Sequence, residues 1–270
     1  MDAILPLVPK AKTEIALRVQ SVSHAFETPE GKPMLALDDV SFDVPRGQFL
    51  ALVGASGCGK TTILNMTAGL VQPVAGSVVL NGQPVQGPSR NTGYMFARDG
   101  LLPWRSARRN VEVGLELRGV PAAERTETST RFLEMVGLDS FAYAYPRQLS
   151  QGMRQRVAIA RTLAINPDTL LMDEPFAALD AQTKLNLQAE FLRIWEKERK
   201  TVLFVTHDLA EAVALADRVI VMTSRPGRIQ ADIEIDLPRP RDPAVIRFNH
   251  HFLRLSERVW QALKAGENAR

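Results

Sequence analysis

A run of nine residues, Gly54 to Thr62, constrains the fold of this chain more than any other segment. It reads Gly-Ala-Ser-Gly-Cys-Gly-Lys-Thr-Thr and matches the pattern G-x-x-x-x-G-K-[ST]. An apolar stretch at 49–53 precedes it and helix-compatible residues follow. A strand, a glycine-rich loop and a helix N-terminus together bind phosphate through free backbone N–H groups. A plain glycine turn would not explain Lys60 and Thr61, so the segment predicts nucleoside triphosphate binding, with Lys60 at the terminal phosphates and Thr61 at Mg²⁺.

Composition narrows the classes that remain. With 270 residues and 45% apolar content, the chain can bury one substantial core and carry a smaller subdomain. Its 33 basic and 30 acidic residues contain no long basic run, so nucleic acid is not an expected partner. The single cysteine, Cys58, excludes an intrachain disulfide and favours a reducing compartment. No apolar run is long enough to cross a bilayer and the first residues do not resemble an export signal, so any membrane role needs a partner chain.

Apolar runs and turn residues predict an α/β fold. We expect strands at 15–22, 35–44, 49–53, 76–80, 169–172, 201–205 and 218–222, with a hairpin turn at Asn81-Gly82 and a helix at 181–199. The strands near the N-terminus predict a small antiparallel β subdomain. The later strands alternate with helices and predict a mostly parallel sheet. Helical spacing without strong strands predicts an all-helical insertion at about 97–165.

The ends of the chain are expected to lie outside this main domain, which spans 15–236. Residues 1–14 are predicted to be a flexible tail. Prolines at 238, 240 and 243 predict an irregular linker, followed by an amphipathic helix with apolar residues from Val245 to Leu263. Packing of that helix on the body of the protein is favoured over a membrane-surface or partner helix. His250 and His251 are adjacent and face different directions, so they do not predict a metal site.

Two acidic residues follow one of the predicted strands. The apolar run 170–172 ends in Asp173 and Glu174. Ligands of open α/β sheets gather at the carboxyl edge of the strands, so both carboxylates are expected to be exposed there. Asp173 is the predicted Mg²⁺ ligand, acting through water, and Glu174 the predicted base for the water that attacks the γ-phosphate. Taken alone, these two acids could equally cap the turn that follows the strand. Together with the glycine-rich segment at 54–62, they favour a catalytic role.

A second phosphate-binding helix end is predicted around residue 150. Leu149-Ser150-Gln151-Gly152-Met153 precedes a helical pattern, with Ser150 at a favourable N-cap position. This run resembles the Leu-Ser-Gly-Gly-Gln-like signature of the ATP-binding cassette (ABC) family. The resemblance covers most of residues 15–230. It implies a head-to-tail dimer in which the signature of one subunit contacts the γ-phosphate held by the other.

The resemblance extends to further positions in the family's order. It implies that Phe26 stacks on adenine, that Asp180 communicates between the two sites of the dimer, and that His207 contacts the γ-phosphate as a catalytic residue beside Glu174. The residues thereby expected to bind ATP are Phe26, Gly54, Ala55, Ser56, Gly57, Cys58, Gly59, Lys60, Thr61 and Thr62.

Two positions depart from the family pattern. Ala97 follows Met95-Phe96 where the family has glutamine, and alanine has no group to ligate Mg²⁺ or position water. Either Asp99 substitutes for the glutamine, or water completes the coordination of Mg²⁺. In the second case the loop that contains Ala97 serves only as a mechanical contact. Gln151 replaces the first signature glycine, although Ser150 and Gly152 are retained.

The leading interpretation is the ATPase subunit of a bacterial importer at the cytoplasmic face of the inner membrane. Residues 101–105, 172–183 and 224–229 resemble ATPases of the nitrate, sulfonate and taurine importers. Implied partners are a second copy, integral membrane permease subunits that Pro103 and Trp104 could contact, and indirectly a solute-binding protein. The open alternative is a regulatory cassette that binds ATP with little hydrolysis. Chromosome and repair ATPases would need a long coiled coil between Thr61 and Leu149, and ribosome-associated ATPases would need two cassettes.

Overall fold

The computed structural model describes residues 14–268. Nearly all of the predicted N-terminal tail, residues 1–13, lies outside the described residues. Two sheets and seven helices of four or more residues make up the described chain. No helix within it combines the length and apolarity that a bilayer span requires.

A four-stranded antiparallel sheet lies near the N-terminus, with strand order β2-β1-β4-β5. Its strands are β1 (Ile15–Glu27), β2 (Pro33–Pro45), β4 (Ala75–Leu80) and β5 (Gln83–Pro84). Asn81 and Gly82 adopt positive φ of 50° and 77° between β4 and β5. Two successive positive φ angles suit a tight hairpin turn, which is why this dipeptide predicted it correctly.

The central sheet has six strands in the order β10-β9-β3-β8-β7-β6. They are β3 (Phe49–Gly54), β6 (Thr92–Met95), β7 (Thr169–Asp173), β8 (Thr201–Val205), β9 (Arg218–Met222) and β10 (Ile229–Glu234). Every pairing is parallel except that of β10 with β9. The predicted parallel sheet is confirmed, whereas the edge strands β6 and β10 were not predicted.

Both faces of the central sheet are buried, each in its own apolar core. Phe49, Ala51 and Val53 of β3 face a core built with the helices between residues 107 and 268, while Leu50 and Leu52 face a second core with the helix at 60–67 and the antiparallel sheet. Alternate side chains of a strand point to opposite faces, so an uninterrupted apolar strand must be covered on both sides. The antiparallel sheet and the helical layers therefore enclose the parallel strands.

Helices cover the sheet and occupy the segment between β6 and β7. On the sheet lie α1 (Lys60–Thr67), α5 (Ala181–Glu198) and α6 (Leu209–Leu215); between β6 and β7 lie α2 (Ala107–Leu117), α3 (Ala122–Met135) and α4 (Gln151–Ala164). No strand occurs in residues 97–165, all of which the structure describes. Ser106 accepts a hydrogen bond from the N–H of Arg109 and caps α2.

The C-terminal segment packs on the main body. Helix α7 (His250–Asn268) buries Phe252, Leu255 and Val259 against the core that contains α6. It begins later than the apolar spacing suggested, because residues 246–248 form a separate turn and the extended Asn249, with a ψ of 130°, accepts from the N–H of His251. Val245 and Phe248, predicted to continue the helical stripe, are instead exposed.

The linker before α7 is held by arginines. Arg239 pairs with Asp217 at 2.8 Å and with Glu196 at 3.2 Å. Arg241 is buried and donates to the carbonyl oxygens of Ala216, Ile235 and Leu237. Burial lowers the pKa of Arg241 to about 10, so it remains charged at neutral pH. The proline-rich sequence thus forms a packed irregular segment.

Two neighbouring residues of α7 test its packing. Phe252→Ala should lower the free energy of unfolding by about 3 kcal/mol, because it removes a buried ring and leaves a cavity. Leu253→Ala, at the half-exposed neighbouring position, should cost less than about 1 kcal/mol. Urea denaturation followed by circular dichroism measures both, and equal losses would contradict the observed orientation of α7.

Candidate functional site

The glycine-rich segment forms a tight loop between β3 and α1. Gly57 and Gly59 have positive φ angles of 77° and 95°. A Cβ on Gly59 would lie 2.3 Å from Cδ2 of Leu37, so the loop sits directly on β2. Cys58 is buried beneath the loop and its Sγ lies 3.5 Å from Nζ of Lys60. With these positive φ angles and this packing, residues of the loop line a cavity, as a phosphate-binding loop requires.

Lys60 is directed into the loop. Its Nζ donates to the carbonyl oxygens of Gly54 at 2.8 Å and Ala55 at 2.9 Å, and the residue is buried. Its partners are carbonyl oxygens and the thiol of Cys58, and no carboxylate within the described residues forms an ion pair with its charge. An anion in the adjacent cavity would compensate it, so the loop fits a phosphate.

A cavity of about 410 Å³ lies over this loop. It brings together predicted residues from four separate parts of the chain. Its lining comprises Phe26, Met34, Ala36, Gly54, Ser56, Gly57, Gly59, Lys60, Thr61, Thr62, Glu174, Val205, His207 and Arg225. Of the residues predicted to bind ATP, Ala55 and Cys58 do not line it.

Phe26 forms one end of the cavity. It lies at the end of β1 opposite Met34 of β2, and its ring is 41% exposed. The ring of His24 meets it edge-on, with 4.7 Å between centroids. A partly exposed aromatic face next to a phosphate loop is suited to stacking on a base.

Thr61 and Asp173 meet directly. The Thr61 hydroxyl donates to Oδ2 of Asp173 at 2.9 Å. Asp173 is buried and not exposed at the sheet edge as the sequence had suggested, because β7 is covered on both faces. Burial raises the pKa of Asp173, with the charge of Glu174 acting in the same direction, while the Thr61 hydrogen bond lowers it. A hydroxyl and a buried carboxylate at this distance fit a Mg²⁺ site, since the cation would favour the ionised carboxylate.

Glu174 and His207 contact each other in the lining of the cavity. Oε1 of Glu174 lies 3.2 Å from Nδ1 of His207, and the His207 side chain is 66% exposed. Glu174 adopts a positive φ of 48°, a strained conformation for a residue with a side chain. This backbone turn takes Glu174 out of the line of β7, so that its side chain lines the cavity while Asp173 remains buried.

A partly buried ionic network, with Glu211 as its buried member, supports the loop that carries His207. Nζ of Lys184 lies 2.8 Å from Oδ2 of Asp208 and 2.5 Å from Oε1 of Glu211. Thr206 donates to Oε2 of Glu211 at 2.6 Å. The residues on both sides of His207 are therefore tied to α5, the helix that Asp180 caps by accepting from the N–H of Thr183. Lys184 and Glu211 were not predicted from the sequence, because they belong to no motif.

The predicted signature lies away from this cavity. Ser150 caps α4 by accepting from the N–H of Met153 at 3.2 Å. A Cβ on Gly152 would lie 3.3 Å from the carbonyl oxygen of Ala178, so the signature adjoins the segment leading to Asp180. None of residues 149–153 lines the cavity, nor does Asp180. Ser150, Gln151 and Asp180 are exposed and form part of a separate surface.

Asp99 is engaged with partners outside the cavity. Its carboxylate pairs with Arg154 at 3.0 Å and accepts from the N–H of Leu101. Arg161 donates to the carbonyl oxygens of Asp99 and Gly100. Asp99 therefore ties the loop after β6 to α4 and does not line the cavity, so the structure lends no support to its suggested role as a substitute for the glutamine. Ala97 itself is exposed.

Four further lining residues were not predicted: Met34, Ala36, Val205 and Arg225. Arg225 belongs to the segment 224–229, which the sequence marked only as similar to one group of importers. Nothing in the spacing of residues indicated that the loop after β9 would reach the phosphate cradle.

Comparison with known proteins agrees with this geometry. The ABC transporter family model matches residues 37–177. An uncharacterised ABC transporter ATP-binding protein of Methanocaldococcus jannaschii is 52% identical over 88% of this chain and 88% of its own length. A taurine import ATP-binding protein of Rhizobium johnstonii is 44% identical over 94% and 98% of the two chains. A nitrate import ATP-binding protein of Synechococcus elongatus is also 44% identical, over 90% and 89%.

A solved structure shows the same fold. It is a dimeric ATP-binding cassette in a post-hydrolysis state, bound to ADP and Pi. It is 30% identical, with a TM-score of 0.76, and the match covers 82% of this chain and all of that one. The fold expected from the sequence is therefore confirmed.

The Lys184 network predicts a pH-dependent defect. Burial raises the pKa of Glu211 while Lys184 lowers it, so Lys184→Met should raise it further. A carboxyl group with a raised folded pKa stabilises the protein below its unfolded pKa, and this stability is lost as pH rises. The loss of unfolding free energy should therefore be about 3 kcal/mol at pH 8 and smaller at pH 5.

Asp208 affects a different pH range. Its pKa is lowered, with Lys184 among the causes, so its contribution is lost only under more acidic conditions. Lys197→Met, at an exposed position of the same helix, is the control and should change stability by less than about 0.5 kcal/mol. Urea denaturation at pH 5, 6.5 and 8 measures the three proteins. A defect of Lys184→Met that does not vary with pH would rule out this role of Glu211.

Proposed function

This chain belongs to the ABC transporter family and is an ATP-binding ATPase subunit, and we propose that it powers import of a small solute through separate membrane subunits. The observation that carries the proposal is the single cavity in which Lys60, Thr61, Glu174 and His207 meet. ATP is the ligand of this cavity in the proposal. Its triphosphate would lie on the loop at residues 54–62 and its base on Phe26.

The site residues then have separate roles. Lys60 and the loop N–H groups bind the phosphates, and Thr61 and Asp173 would hold Mg²⁺. When bound, Mg²⁺ neutralises phosphate charge and polarises the phosphoryl oxygens. Glu174 orients the attacking water and accepts its proton. His207, 3.2 Å from Glu174, holds that carboxylate in place and contacts the γ-phosphate.

A second copy of the chain would complete the site. Ser150, with its N-cap position on α4, and Asp180 lie outside the chain's own cavity, yet they adjoin each other through Gly152 and Ala178. This exposed surface supports a head-to-tail dimer in which the signature of one copy reaches the γ-phosphate held by the other. The similar solved cassette is described as dimeric, which also supports this arrangement.

Permease subunits would dock near the helical region. Trp104 is 71% exposed and Tyr145 is 43% exposed, and both line one shallow groove with Arg105 and Arg109. Exposed aromatic residues beside arginines are typical of the central part of protein interfaces. Docking there would place the chain at the cytoplasmic face of the inner membrane, with a solute-binding protein as an indirect partner.

The proposed class of solute rests only on the names of similar proteins. Two relatives of equal identity are named for taurine and for nitrate import. We therefore propose a small solute of the nitrate, sulfonate or taurine type. The solute would not contact this subunit, so its identity depends on the permease and binding protein.

A cassette with low turnover is the second candidate, and Ala97 favours it. The residue follows β6 directly, and Met95 stands opposite Met172, one residue before Asp173. An amide side chain at position 97, two residues beyond this pairing, would offer a polar group to Mg²⁺ or water, whereas the methyl group of alanine supplies no polar contact.

Glu174→Gln tests the main proposal. The variant should lose turnover by roughly 10²- to 10⁴-fold, because the amide cannot accept the proton. It should still bind ATP and should accumulate as an ATP-bound dimer. Phosphate release and light scattering with size-exclusion chromatography measure the two properties.

The control for this variant is Glu190→Gln on the surface of α5, which should keep turnover within twofold. Unchanged turnover in Glu174→Gln would remove Glu174 from the mechanism. If the variant stayed monomeric with saturating ATP, alone and with permease subunits, the dimer part of the proposal would be wrong.

Ala97→Gln tests the low-turnover candidate. Restoring the amide should raise ATP turnover by about tenfold, the effect of about 1.4 kcal/mol on the barrier. Ala97→Leu adds bulk without the amide and should not raise it. A rate for Ala97→Gln equal to that of the parent would show that the missing amide does not limit turnover.

A further inference from the structure

The loop between β9 and β10 is closed by its own hydrogen bonds. The N–H of Thr223 donates to the carbonyl of Arg228 at 2.9 Å, and the Thr223 hydroxyl donates to the carbonyl of Pro226 at 2.9 Å. The N–H of Arg228 donates back to the Thr223 hydroxyl. These bonds give the tip of the loop, residues 225–227, a defined shape.

The same tip is attached to the nucleotide site. The N–H of Gly227 donates to the carbonyl of Ala36 at 2.9 Å, and the carbonyl of Gly227 accepts from the N–H of Asp38 at 3.0 Å. A Cβ on Gly227 would lie 1.9 Å from the carbonyl oxygen of Cys58. Glycine is therefore required there, and the close approach places the neighbouring Arg225 beside the phosphate loop.

The guanidinium of Arg225 lies between the two ends of the cavity. Its Nη1 is 2.9 Å from Sδ of Met34, the residue opposite Phe26 at the base end. Its Nε and Nη2 are 3.4 and 3.5 Å from the carbonyl oxygen of Gly57 at the phosphate end. A nucleotide that spans from Phe26 to the loop would pass this group at its ribose and nearest phosphates.

The charge of Arg225 is not balanced by the protein. Its partners are a thioether and a carbonyl oxygen, and no carboxylate within residues 14–268 forms an ion pair with it. Arg228, three residues away, pairs with Asp38, and Arg218 in β9 pairs with Asp232. Arginine donors match phosphate oxygens in geometry, and such charge-assisted hydrogen bonds are stronger than neutral ones.

We infer that Arg225 is a nucleotide-binding residue that holds the α- and β-phosphates of ATP on the sugar side of the cradle. The inference rests on the proposed ATP site and adds a second cation to a lining that already contains Lys60. Arg225 contributes to binding in both the triphosphate and the diphosphate state, because the phosphates it contacts are common to ATP and ADP.

Equilibrium binding to the full-length chain tests the inference. The Kd values of ATP, ADP and adenosine are measured in EDTA for the parent, Arg225→Ala, Arg225→Lys and Arg228→Ala. Arg225→Ala should raise the Kd of ATP and of ADP by about tenfold each, as expected for one charge-assisted contact. The Kd of adenosine should change by less than about twofold, and lysine should give an intermediate loss because it keeps the charge without the fork of donors.

Steady-state kinetics supply a second measurement. In Arg225→Ala the KM for ATP should rise by the same factor while kcat stays within about twofold, because the contact is made equally in the ground and transition states. Arg228→Ala removes a neighbouring arginine outside the cavity and should leave Kd and KM unchanged.

The possible outcomes separate this inference from the proposed function. Unchanged ATP and ADP binding in Arg225→Ala would overturn it, as would an equal loss in Arg228→Ala, which would show an effect on loop folding. A loss confined to ATP would overturn the assignment to the α- and β-phosphates. Absence of ATP binding in the parent chain would instead refute the proposed nucleotide site.

Discussion

The parallel register of β3, β8 and β7 decides where every proposed catalytic group lies. Leu52 of β3 and Asp173 of β7 both stand opposite Val205 of β8. The chain therefore leaves all three strands at the same edge, and the phosphate loop, Glu174 and His207 follow within two residues of these positions. The alternating burial of these strands in two separate cores holds the register, because a shift by one residue would exchange the two faces.

Contacts between loops link this edge to the rest of the molecule. Lys184 joins the helix after Asp180 to the residues on both sides of His207. Asp99 joins the loop after β6 to Arg154 in α4, the helix that begins after Ser150. The segments that would meet a second copy are thus connected to the segments that hold the nucleotide. A change in one of them must be accommodated in the others, since networks of ion pairs and packed side chains do not deform freely.

The sequence predicted long apolar strands well, and it predicted short strands and contacts between distant residues poorly. The strands at 49–53, 169–172 and 201–205 were predicted correctly because they are apolar throughout and buried on both faces. Strand β6 has four residues, one of them Gly93, which is too short for a reliable pattern. Strand β10 shows alternation of Ile229, Ala231 and Ile233 with polar residues, a signal that was present and overlooked. The pairing of Asp99 with Arg154 was not predicted either, because a contact between residues 55 positions apart has no local signature.

The sequence by itself determined the chemistry of this protein: the glycine spacing at 54–59, the lysine and threonine that follow it, and the acids at the end of an apolar strand. These features depend on residues that are neighbours in the chain, so a local pattern is sufficient to identify them. The tertiary structure alone decided that Asp173 is buried against Thr61, that Lys184 supports the His207 loop, and that Arg225 reaches the phosphate cradle. Each of these contacts joins segments far apart in sequence, and only the packing of strands and loops brings their side chains within bonding distance.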